Sequence, residues 1–349
     1  MTQDQVTPFR WHGEVLEVLD QRLLPAEEVW QAYSDAEGVY RAIHEMQVRG
    51  APAIGIAAAY GVVLAARSCA EAPDWYSRLG ATMDWLAQAR PTAVNLVWAL
   101  ERMRGCLAQV ADSADLITML EAEALAIHRE DAEANRAMGV LGADRILGER
   151  DRPVQVLTHC NTGALATGGQ GTALGVVREL FQRGALTCVH MDETRPWLQG
   201  ARLTAWECER EGMPCSLNVD GAAATLMAQG RVDWVVVGAD RITANGDVAN
   251  KIGTLPLAIL ARHYGVGMMV VAPSSTLDAE TPSGDRIEIE ERDGTELRRS
   301  GRRWLAPNSV AVFNPVFDVT PASLVDVIVT EKGICEAPGD QVTPLDSLT

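Results

Sequence analysis

The chain has 349 residues, of which 47% are hydrophobic, so its length allows about two domains and its composition excludes a disordered protein. A net charge of −17 argues against a nucleic-acid-binding protein, because such proteins present a basic face. The seven cysteines are odd in number and include no Cys-x-x-Cys pair, so we expect neither a disulfide framework nor a structural metal site.

No targeting or membrane segment is predicted. The first residues, MTQDQVTPFRW, lack the basic and apolar blocks of a signal peptide. The apolar run over residues 53–66 is rich in Ala and Gly and shorter than the roughly 20 residues of a membrane span. We therefore expect a cytoplasmic protein that does not bind membranes.

The first part of the chain is predicted to be mainly helical. Residues 9–24 predict a small β-hairpin around Gly13. The apolar period from there to about Leu147 is helical, and the predicted helices include residues 27–34, 37–48, 53–66, 75–89, 93–110 and a long acidic helix from about residue 114. A polar break bounded by Gly and Pro then places the domain boundary, giving residues 1–147 and 148–349.

The second part alternates between short apolar strands and helices. Strands are predicted near residues 154–158, 186–191, 215–219, 233–237, 267–272 and 325–330, with helices at about 172–183, 197–211, 221–229, 250–264 and 321–325. Continuous apolar strands separated by helices indicate an α/β domain with a doubly wound parallel sheet. The highly charged residues 279–306 are predicted to form a surface excursion.

Residues 154–180 form the stretch that is most informative about function. A buried strand leads into a glycine-rich turn, and a helix starts near Thr172. Such a turn offers unpaired N–H groups to an anion. Gly169-Gln170-Gly171 with Asp192 partly matches a dinucleotide fingerprint, but the third glycine would fall at Leu174, so nicotinamide binding is disfavoured.

Cys160 lies just past the carboxyl end of this strand, where open α/β sheets bind ligands. One interpretation is a small buried hydrophobic residue. The other is a reactive thiol, favoured by the polar neighbours Asn161, Thr162 and Gly163 and by a nearby helix N-terminus. His159 points the opposite way on a strand, so we expect it to be satisfied elsewhere rather than to form a Cys–His dyad.

A second polar cluster covers residues 235–254. Asp240 follows a strand, and Asn250 and Lys251 are predicted to begin a helix. An acid at a strand end and a lysine at a helix start suit a site that moves protons on a phosphorylated polyol. Alternatively, Asp240 pairs with Arg241 or caps a turn, and position alone does not decide between the two.

Two further segments place an arginine before a helix. In Arg49-Gly50-Ala51-Pro52 the arginine either holds an anion or is simply exposed, and Arg90-Pro91-Thr92 allows the same two interpretations. Residues 192–207 follow the second strand of the sheet and carry Gln199 and Arg202 toward the expected crevice.

The chain resembles the methylthioribose-1-phosphate isomerase family from about residue 40 to residue 335. The resemblance rests on the segments RGAPAIGIAAAYG, RPTAVNLVWAL, THCNTGALATGGQGTALGV, DETRPWLQGARLTAWE, VGADRITANGDVANKIGT and NPVFDVTPASLVDVIVTEKGI. The same superfamily includes regulatory subunits of a translation-initiation nucleotide-exchange factor.

The resemblance implies a helical N-terminal domain, a Rossmann-like C-terminal domain with the site between them, and a homodimer. It implies conversion of 5-methylthioribose 1-phosphate into 5-methylthioribulose 1-phosphate in methionine salvage, with no cofactor or metal. Cys160 and Asp240 would form the catalytic pair. The residues that would contact substrate are Arg49, Gly50, Ala51, Arg90, Gln199, Asn250 and Lys251.

Two alternatives stay open at this point. One is an isomerase of another sugar 1-phosphate, such as 5-deoxyribose 1-phosphate or ribose 1,5-bisphosphate. The other is a non-catalytic regulatory subunit of the translation type, although the combination of Cys160, Asp240 and Lys251 argues against it. Whether hydrogen moves between the two sugar carbons as a proton or as a hydride is also undecided.

Overall fold

The structure, a computed structural model, describes residues 6–90, 93–148, 152–301, 303–341 and 344–348. It divides into two compact units, and the chain passes between them more than once. One unit holds the residues up to Ala137 together with Thr162–Gly175, and the other holds Met138–Asn161 together with the residues from Val176. The single boundary predicted between residues 147 and 148 stays a prediction.

The first unit contains a three-stranded antiparallel sheet and a helical core. Its elements are β1 (Phe9–Trp11), β2 (Leu16–Leu19), β3 (Trp30–Tyr33), α1 (Ala36–His44), α2 (Ala51–Cys69), α3 (Trp75–Ala87), α4 (Val94–Leu107) and the part of α5 (Ser113–Leu147) up to Ala137. β1 and β2 pair antiparallel, so the predicted hairpin is confirmed.

The helix predicted over residues 27–34 is wrong. Residues Trp30–Tyr33 form β3, which pairs antiparallel with β2, and the ring of Trp30 covers the guanidinium of Arg10 at 3.8 Å. An apolar run of this length does not distinguish a helix from a strand by its period. The aromatic residues of this segment favour a strand, and pairing with β2 stabilises it.

Helix α2 forms the centre of the first unit. By length and composition alone it could span a membrane, but 83% of its most apolar window is buried inside the protein. Its alanines and glycines pack among the side chains of the surrounding helices, so burial in a core explains its apolar character. Pro52 lies in the first turn, as predicted.

The second unit contains the parallel sheet. Its elements are the end of α5, then β4 (Val154–Thr158), α6 (Ala173–Gln182, from Val176 onward), β5 (Leu186–Asp192), α7 (Ala205–Arg210), β6 (Cys215–Asn218), α8 (Ala223–Ala228), β7 (Trp234–Val237), β8 (Arg241–Thr243), β9 (Val248–Lys251), α9 (Thr254–Tyr264), β10 (Gly267–Val271), β11 (Leu277–Asp278), α10 (Thr295–Arg298), β12 (Arg299–Ser300), β13 (Arg303–Trp304), β14 (Phe317–Thr320), β15 (Val327–Val329) and β16 (Ile334–Glu336).

Seven strands form the main sheet, in the order β16-β15-β10-β7-β4-β5-β6. All neighbours are parallel except β15 and β16, which are antiparallel. From β4 the strands continue in one direction through β5 and β6, and in the other through β7, β10 and β15. The predicted doubly wound α/β fold is therefore confirmed, and its strand order reverses between β4 and β7.

A second sheet, in the order β11-β8-β9-β14, was not predicted. The start of the helix predicted over residues 250–264 is therefore wrong. Asn250 and Lys251 lie at the end of β9, and α9 begins only at Thr254. β9 pairs on one side with β8 and on the other with β14. This pairing with a strand that lies far along the chain overrides the local helical pattern.

Two other predicted helices are shorter than expected. Residues 197–211 contain a π-helical turn over Gly200–Thr204 that leads into α7, and residues 321–325 hold only a 3₁₀ turn. Within the described part of the charged stretch 279–306, Gly284 is the only buried residue, so this stretch lies at the surface as predicted.

A buried ion network joins α6 to α7. The guanidinium of Arg178 donates from Nη2 to Glu207 at 2.6 Å and from Nε to Glu211 at 2.7 Å. Glu207 is fully buried, and Arg178 is 5% exposed. A charge in such a position is tolerated only while its partner remains.

We expect Arg178→Met to destabilise the protein by about 3–5 kcal/mol, because it leaves the carboxylate of Glu207 buried without its cation. Urea unfolding followed by circular dichroism measures this difference. Arg183→Met is the matched control, because Arg183 follows α6 and makes ion pairs at the surface with Glu179 and Asp144; it should cost about 1 kcal/mol or less. Equal losses for the two variants would contradict the structural role of Arg178.

Candidate active site at the reversal of strand order

Cys160 and Asp240 follow neighbouring strands of the main sheet. β4 and β7 pair in parallel, with Leu157 opposite Val235. Both strands therefore end at the same edge of the sheet, and Cys160 and Asp240 come within a few residues of those ends. Adjacent strands lie about 4.8 Å apart, and ligands of doubly wound sheets bind where the strand order reverses. Both residues thus belong to the expected ligand-binding edge.

The backbone of Cys160 is fixed on both sides. Its φ is +64°, in the left-handed region, and its side chain is buried, with the residue 8% exposed. Its N–H donates to the hydroxyl of Thr194 at 2.8 Å. Its carbonyl accepts from the hydroxyl of Thr204 at 2.6 Å.

Asn161, the next residue, joins the Arg178 network. Its Nδ2 donates to Oε1 of Glu207 at 2.8 Å and contacts the hydroxyl of Thr204 at 3.3 Å. The turn after β4 is thereby tied to α7 through buried polar groups. The polar character of Asn161 is visible in the sequence, but its partners are not, because they lie more than 40 residues away along the chain.

His159 is satisfied by groups other than Cys160, as predicted. Its Nε2 lies 2.8 Å from the carbonyl of Ile252. A carbonyl only accepts hydrogen bonds, so Nε2 carries a proton and donates it. Its Nδ1 lies 3.0 Å from Oδ2 of Asp192. The ring therefore links the turn after β4 to the end of β5 and to the turn after β9.

Asp192 does not serve as the acidic residue of a dinucleotide site. One of its oxygens bonds to His159, and the residue is 1% exposed. Burial raises the pKa of the Asp192 carboxyl, and the bond to His159 opposes that shift. This arrangement removes the residue that would hold a ribose, so it argues further against nicotinamide binding.

The hairpin of β8 and β9 presents Asp240 next to Asn250. The N–H of Asp240 donates to the carbonyl of Ala249 at 2.9 Å. The cation of Arg241 pairs with Asp278 at 3.2 Å.

Asn250 and Lys251 are buried at the end of β9 rather than in a helix. Nδ2 of Asn250 donates to the hydroxyl of Thr254 at 2.9 Å. Nζ of Lys251 donates to the carbonyl of Val316 at 3.1 Å and lies 5.0 Å from the ring centre of Phe317. The lysine ammonium is thus held at a defined place beside β14.

Asp318 is a site-supporting residue that sequence analysis missed. Its carboxylate accepts from the N–H groups of Gly253 and Leu255 at 2.8 and 3.1 Å. It therefore caps α9 and occupies the positive end of that helix. Burial raises the pKa of the Asp318 carboxyl, and the two N–H donors oppose that shift. A local sequence pattern cannot indicate this cap, because Asp318 lies 65 residues from Gly253.

Gln199 lies just before the π-helical turn, and the residue is 4% exposed. Among the described residues its Oε1 has no hydrogen-bond partner. A buried amide oxygen without a partner is costly, so this oxygen is suited to accept from a bound hydroxyl. Gln199 was predicted to face the crevice.

His159, Asp192 and Asp220 place ligand atoms within 4.8 Å of one another and could together hold a cation. The carboxylate of Asp220 already accepts from the N–H groups of Thr194 and Arg195 at 2.7 and 2.8 Å. The expectation that the protein needs no metal stays a prediction.

The glycine-rich turn belongs to the first unit and is held mainly by α5. The N–H of Gly168 donates to Asp131 at 2.6 Å, and its carbonyl lies 2.9 Å from Nε2 of His128. At the start of α6 the N–H groups of Thr172 and Leu174 point to the carbonyl of Thr162. These two N–H groups are therefore not offered to the anion that the sequence pattern predicted.

Arg49, Gly50 and Ala51 lie at the start of α2 in the first unit. Arg49 is buried, and Gly50 has a φ of +100°. A Cβ on Gly50 would lie 2.6 Å from the backbone of Ala166, so only glycine fits. Arg90 is half-buried in the same unit; Pro91 and Thr92, which followed it in the predicted segment, lie outside the described residues.

Comparison with known proteins gives matches along nearly the whole chain. A methylthioribose-1-phosphate isomerase of Pseudomonas syringae pv. syringae is 60% identical over 97% of this chain and 94% of its own length. The crystal structure of 5-methylthioribose 1-phosphate isomerase from Pyrococcus horikoshii OT3 has a TM-score of 0.90 and 41% identity, covering 99% of this chain and 96% of that chain.

A protein described as translation initiation factor eIF-2B, subunit delta, from A. fulgidus is also similar. It has a TM-score of 0.86 and 38% identity, covering 98% of this chain and 99% of that chain. The sequence profile of the Initiation factor 2 subunit family matches residues 47–337. The chain belongs to the Initiation factor 2 subunit family.

Proposed function

We propose that the protein is a methylthioribose-1-phosphate isomerase that converts 5-methylthioribose 1-phosphate into 5-methylthioribulose 1-phosphate in methionine salvage. The similarity to enzymes of this name extends over nearly the full chain. The observation that carries the proposal is the position of Cys160 and Asp240 after two neighbouring strands, at the reversal of strand order. A thiol and a carboxyl group at one sheet edge are the groups that this reaction needs.

Ring opening is the first chemical task. The phosphate on the anomeric carbon prevents spontaneous opening of the sugar, so the enzyme has to protonate the ring oxygen as the C–O bond breaks. We propose Asp240 as this general acid. The hairpin bond from its N–H to Ala249 fixes its backbone next to Asn250 and thereby supports this role.

Cys160 is the proposed partner in the second task, the movement of hydrogen from C2 to C1. As a thiolate it can remove the C2 proton. In the alternative route a hydride moves directly between the carbons, and Cys160 then stabilises the charged intermediate. Its burial keeps bulk water from the reacting carbons and suits either route.

The remaining polar groups are proposed to bind the sugar and its phosphate. Lys251 and Asn250 bring a cation and an amide to the end of β9. Oε1 of Gln199, which has no partner in the part of the chain that the structure describes, can accept from a sugar hydroxyl. Local positive charge matters in a chain with a net charge of −17. In the first unit we propose Arg49, Gly50, Ala51 and Arg90 as further substrate-contacting residues.

We also propose a cytoplasmic homodimer that works without a cofactor. The second unit exposes large apolar side chains at Leu217, Val219 and Phe313, with exposures of 53%, 63% and 78%. Contact with a second subunit over these side chains would remove them from water. Light scattering of the purified protein measures the number of subunits.

The match to a protein described as a translation factor favours a second candidate, a regulatory subunit without turnover. We expect instead that the purified protein isomerises 5-methylthioribose 1-phosphate, with a higher kcat/KM than for 5-deoxyribose 1-phosphate or ribose 1,5-bisphosphate. Ketose formation from each of the three sugars measures this preference. Turnover of none of them would favour the regulatory subunit, and a preference for the bisphosphate would reassign the substrate.

Cys160→Ser should reduce kcat by about 10²- to 10⁴-fold, because a serine hydroxyl remains protonated where a thiolate is needed. The protein should stay folded, since serine is similar in size to cysteine. Cys106→Ser is the matched control, because Cys106 lies in α4 and donates to a backbone carbonyl as a hydroxyl also can. Near-normal turnover of Cys160→Ser would remove Cys160 from the mechanism.

The reaction run in D₂O separates the two routes of hydrogen transfer. If Cys160 acts as a base whose proton exchanges with solvent, we expect deuterium at C1 of the ketose. A hydride transfer leaves C1 without deuterium, and Cys160 then acts by stabilising charge. NMR of the isolated product, compared with a sample of product incubated in D₂O without enzyme, measures the label.

A further inference from the structure

The backbone of Cys160 has a conformation that cysteine rarely adopts. Its φ of +64° lies in the left-handed region, where the Cβ of any residue but glycine approaches the next carbonyl. Such a conformation persists only where the surroundings hold it. The groups that bond to the two peptide units of Cys160 are therefore the groups that hold the thiol in place.

Those groups are the hydroxyls of two threonines. The hydroxyl of Thr194 donates its hydrogen to the carbonyl of Asp192 at 3.0 Å. Its oxygen is therefore free to accept from the N–H of Cys160, at 2.8 Å. The hydroxyl of Thr204 donates to the carbonyl of Cys160 at 2.6 Å. Thr194 and Thr204 are 0% and 1% exposed, so water does not replace them.

The two threonines are themselves held by the elements around them. The N–H of Thr194 donates to Asp220 at 2.7 Å. Thr204 ends the π-helical turn that begins at Gly200, and a Cβ on Gly200 would lie 1.7 Å from the carbonyl oxygen of Asp192. Glycine at this position lets the turn approach the end of β5 closely enough for Thr204 to reach Cys160.

We propose that Thr194 and Thr204 are positioning residues that hold the Cys160 backbone in its left-handed conformation and thereby fix the direction of its thiol. A π-helical turn next to a reactive group is a frequent device at functional sites. This inference rests on the proposed role of Cys160 in isomerisation. Neither threonine touches the substrate in this proposal.

Thr204→Val tests the proposal, because valine keeps the shape of threonine and removes the hydroxyl. We expect kcat to fall about tenfold, as the loss of one hydrogen bond lets the peptide leave its strained conformation. KM should stay the same, since the groups proposed to bind the sugar are unchanged. Thr204→Ser restores the hydroxyl and should keep kcat within about twofold of the wild type.

Thr320→Val is the matched control. Thr320 is a fully buried threonine of the same unit whose hydroxyl has no partner among the described residues. It should leave kcat unchanged. Thr194→Val, paired with Thr194→Ser, provides a second variant that keeps the proposal testable if Thr204→Val does not fold.

The rate of alkylation by iodoacetamide, followed for each cysteine by mass spectrometry, is independent of isomerase activity. In wild type Cys160 is 8% exposed, and Cys208 and Cys335 are 0% and 1% exposed. We expect Thr204→Val to raise the alkylation rate of Cys160 about tenfold, as its peptide is released. Cys208 and Cys335 should keep their wild-type rates.

Two results would overturn the proposal. One is an unchanged Cys160 alkylation rate and an unchanged kcat in the valine variants. The other is an equal rise at Cys160, Cys208 and Cys335, which would indicate a general loosening of the unit. If the wild type shows no isomerase activity, the proposed function fails, and the alkylation rates still decide whether the threonines hold Cys160.

Discussion

The reversal of strand order between β4 and β7 is the constraint on which the site depends. Connections between parallel strands are right-handed, so the connection from β4 to β5 and the connection from β7 to β10, which run in opposite directions along the sheet, lie on opposite faces. A crevice therefore remains at the carboxyl ends of β4 and β7, where Cys160 and Asp240 follow. The position of both residues results from sheet topology, before any side-chain contact is considered.

Buried hydrogen bonds convert this crevice into a defined geometry. Buried polar groups need partners, and the partners available here belong to different strand ends. The ring of His159, which follows β4, joins Asp192 at the end of β5 to the carbonyl of Ile252 after β9, and Asp318 holds the start of α9. Satisfying each of these groups also fixes the distance between the elements that carry the site, so stability and positioning have the same physical origin.

Sequence patterns predicted the features that depend on local residues. The continuous apolar runs of the main sheet predicted its strands, and glycines and polar residues marked the strand ends at Cys160 and Asp240. The predictions that failed concern residues whose partners lie far away along the chain. The local pattern at Lys251 predicts the start of a helix, but in the structure Lys251 lies opposite Phe317 where β9 pairs with β14. Asp318 can cap α9 only because the fold brings it there.

The fold does not by itself separate an isomerase from a regulatory subunit. Structures described as an isomerase and as a translation factor subunit resemble this chain with TM-scores of 0.90 and 0.86, so function has to be argued from the site. A buried thiol held in a left-handed conformation, and a buried amide oxygen of Gln199 with no partner among the described residues, both cost stability. A surface that only docks another protein gains nothing from either feature, whereas an enzyme that binds a sugar hydroxyl and directs a thiol gains from both.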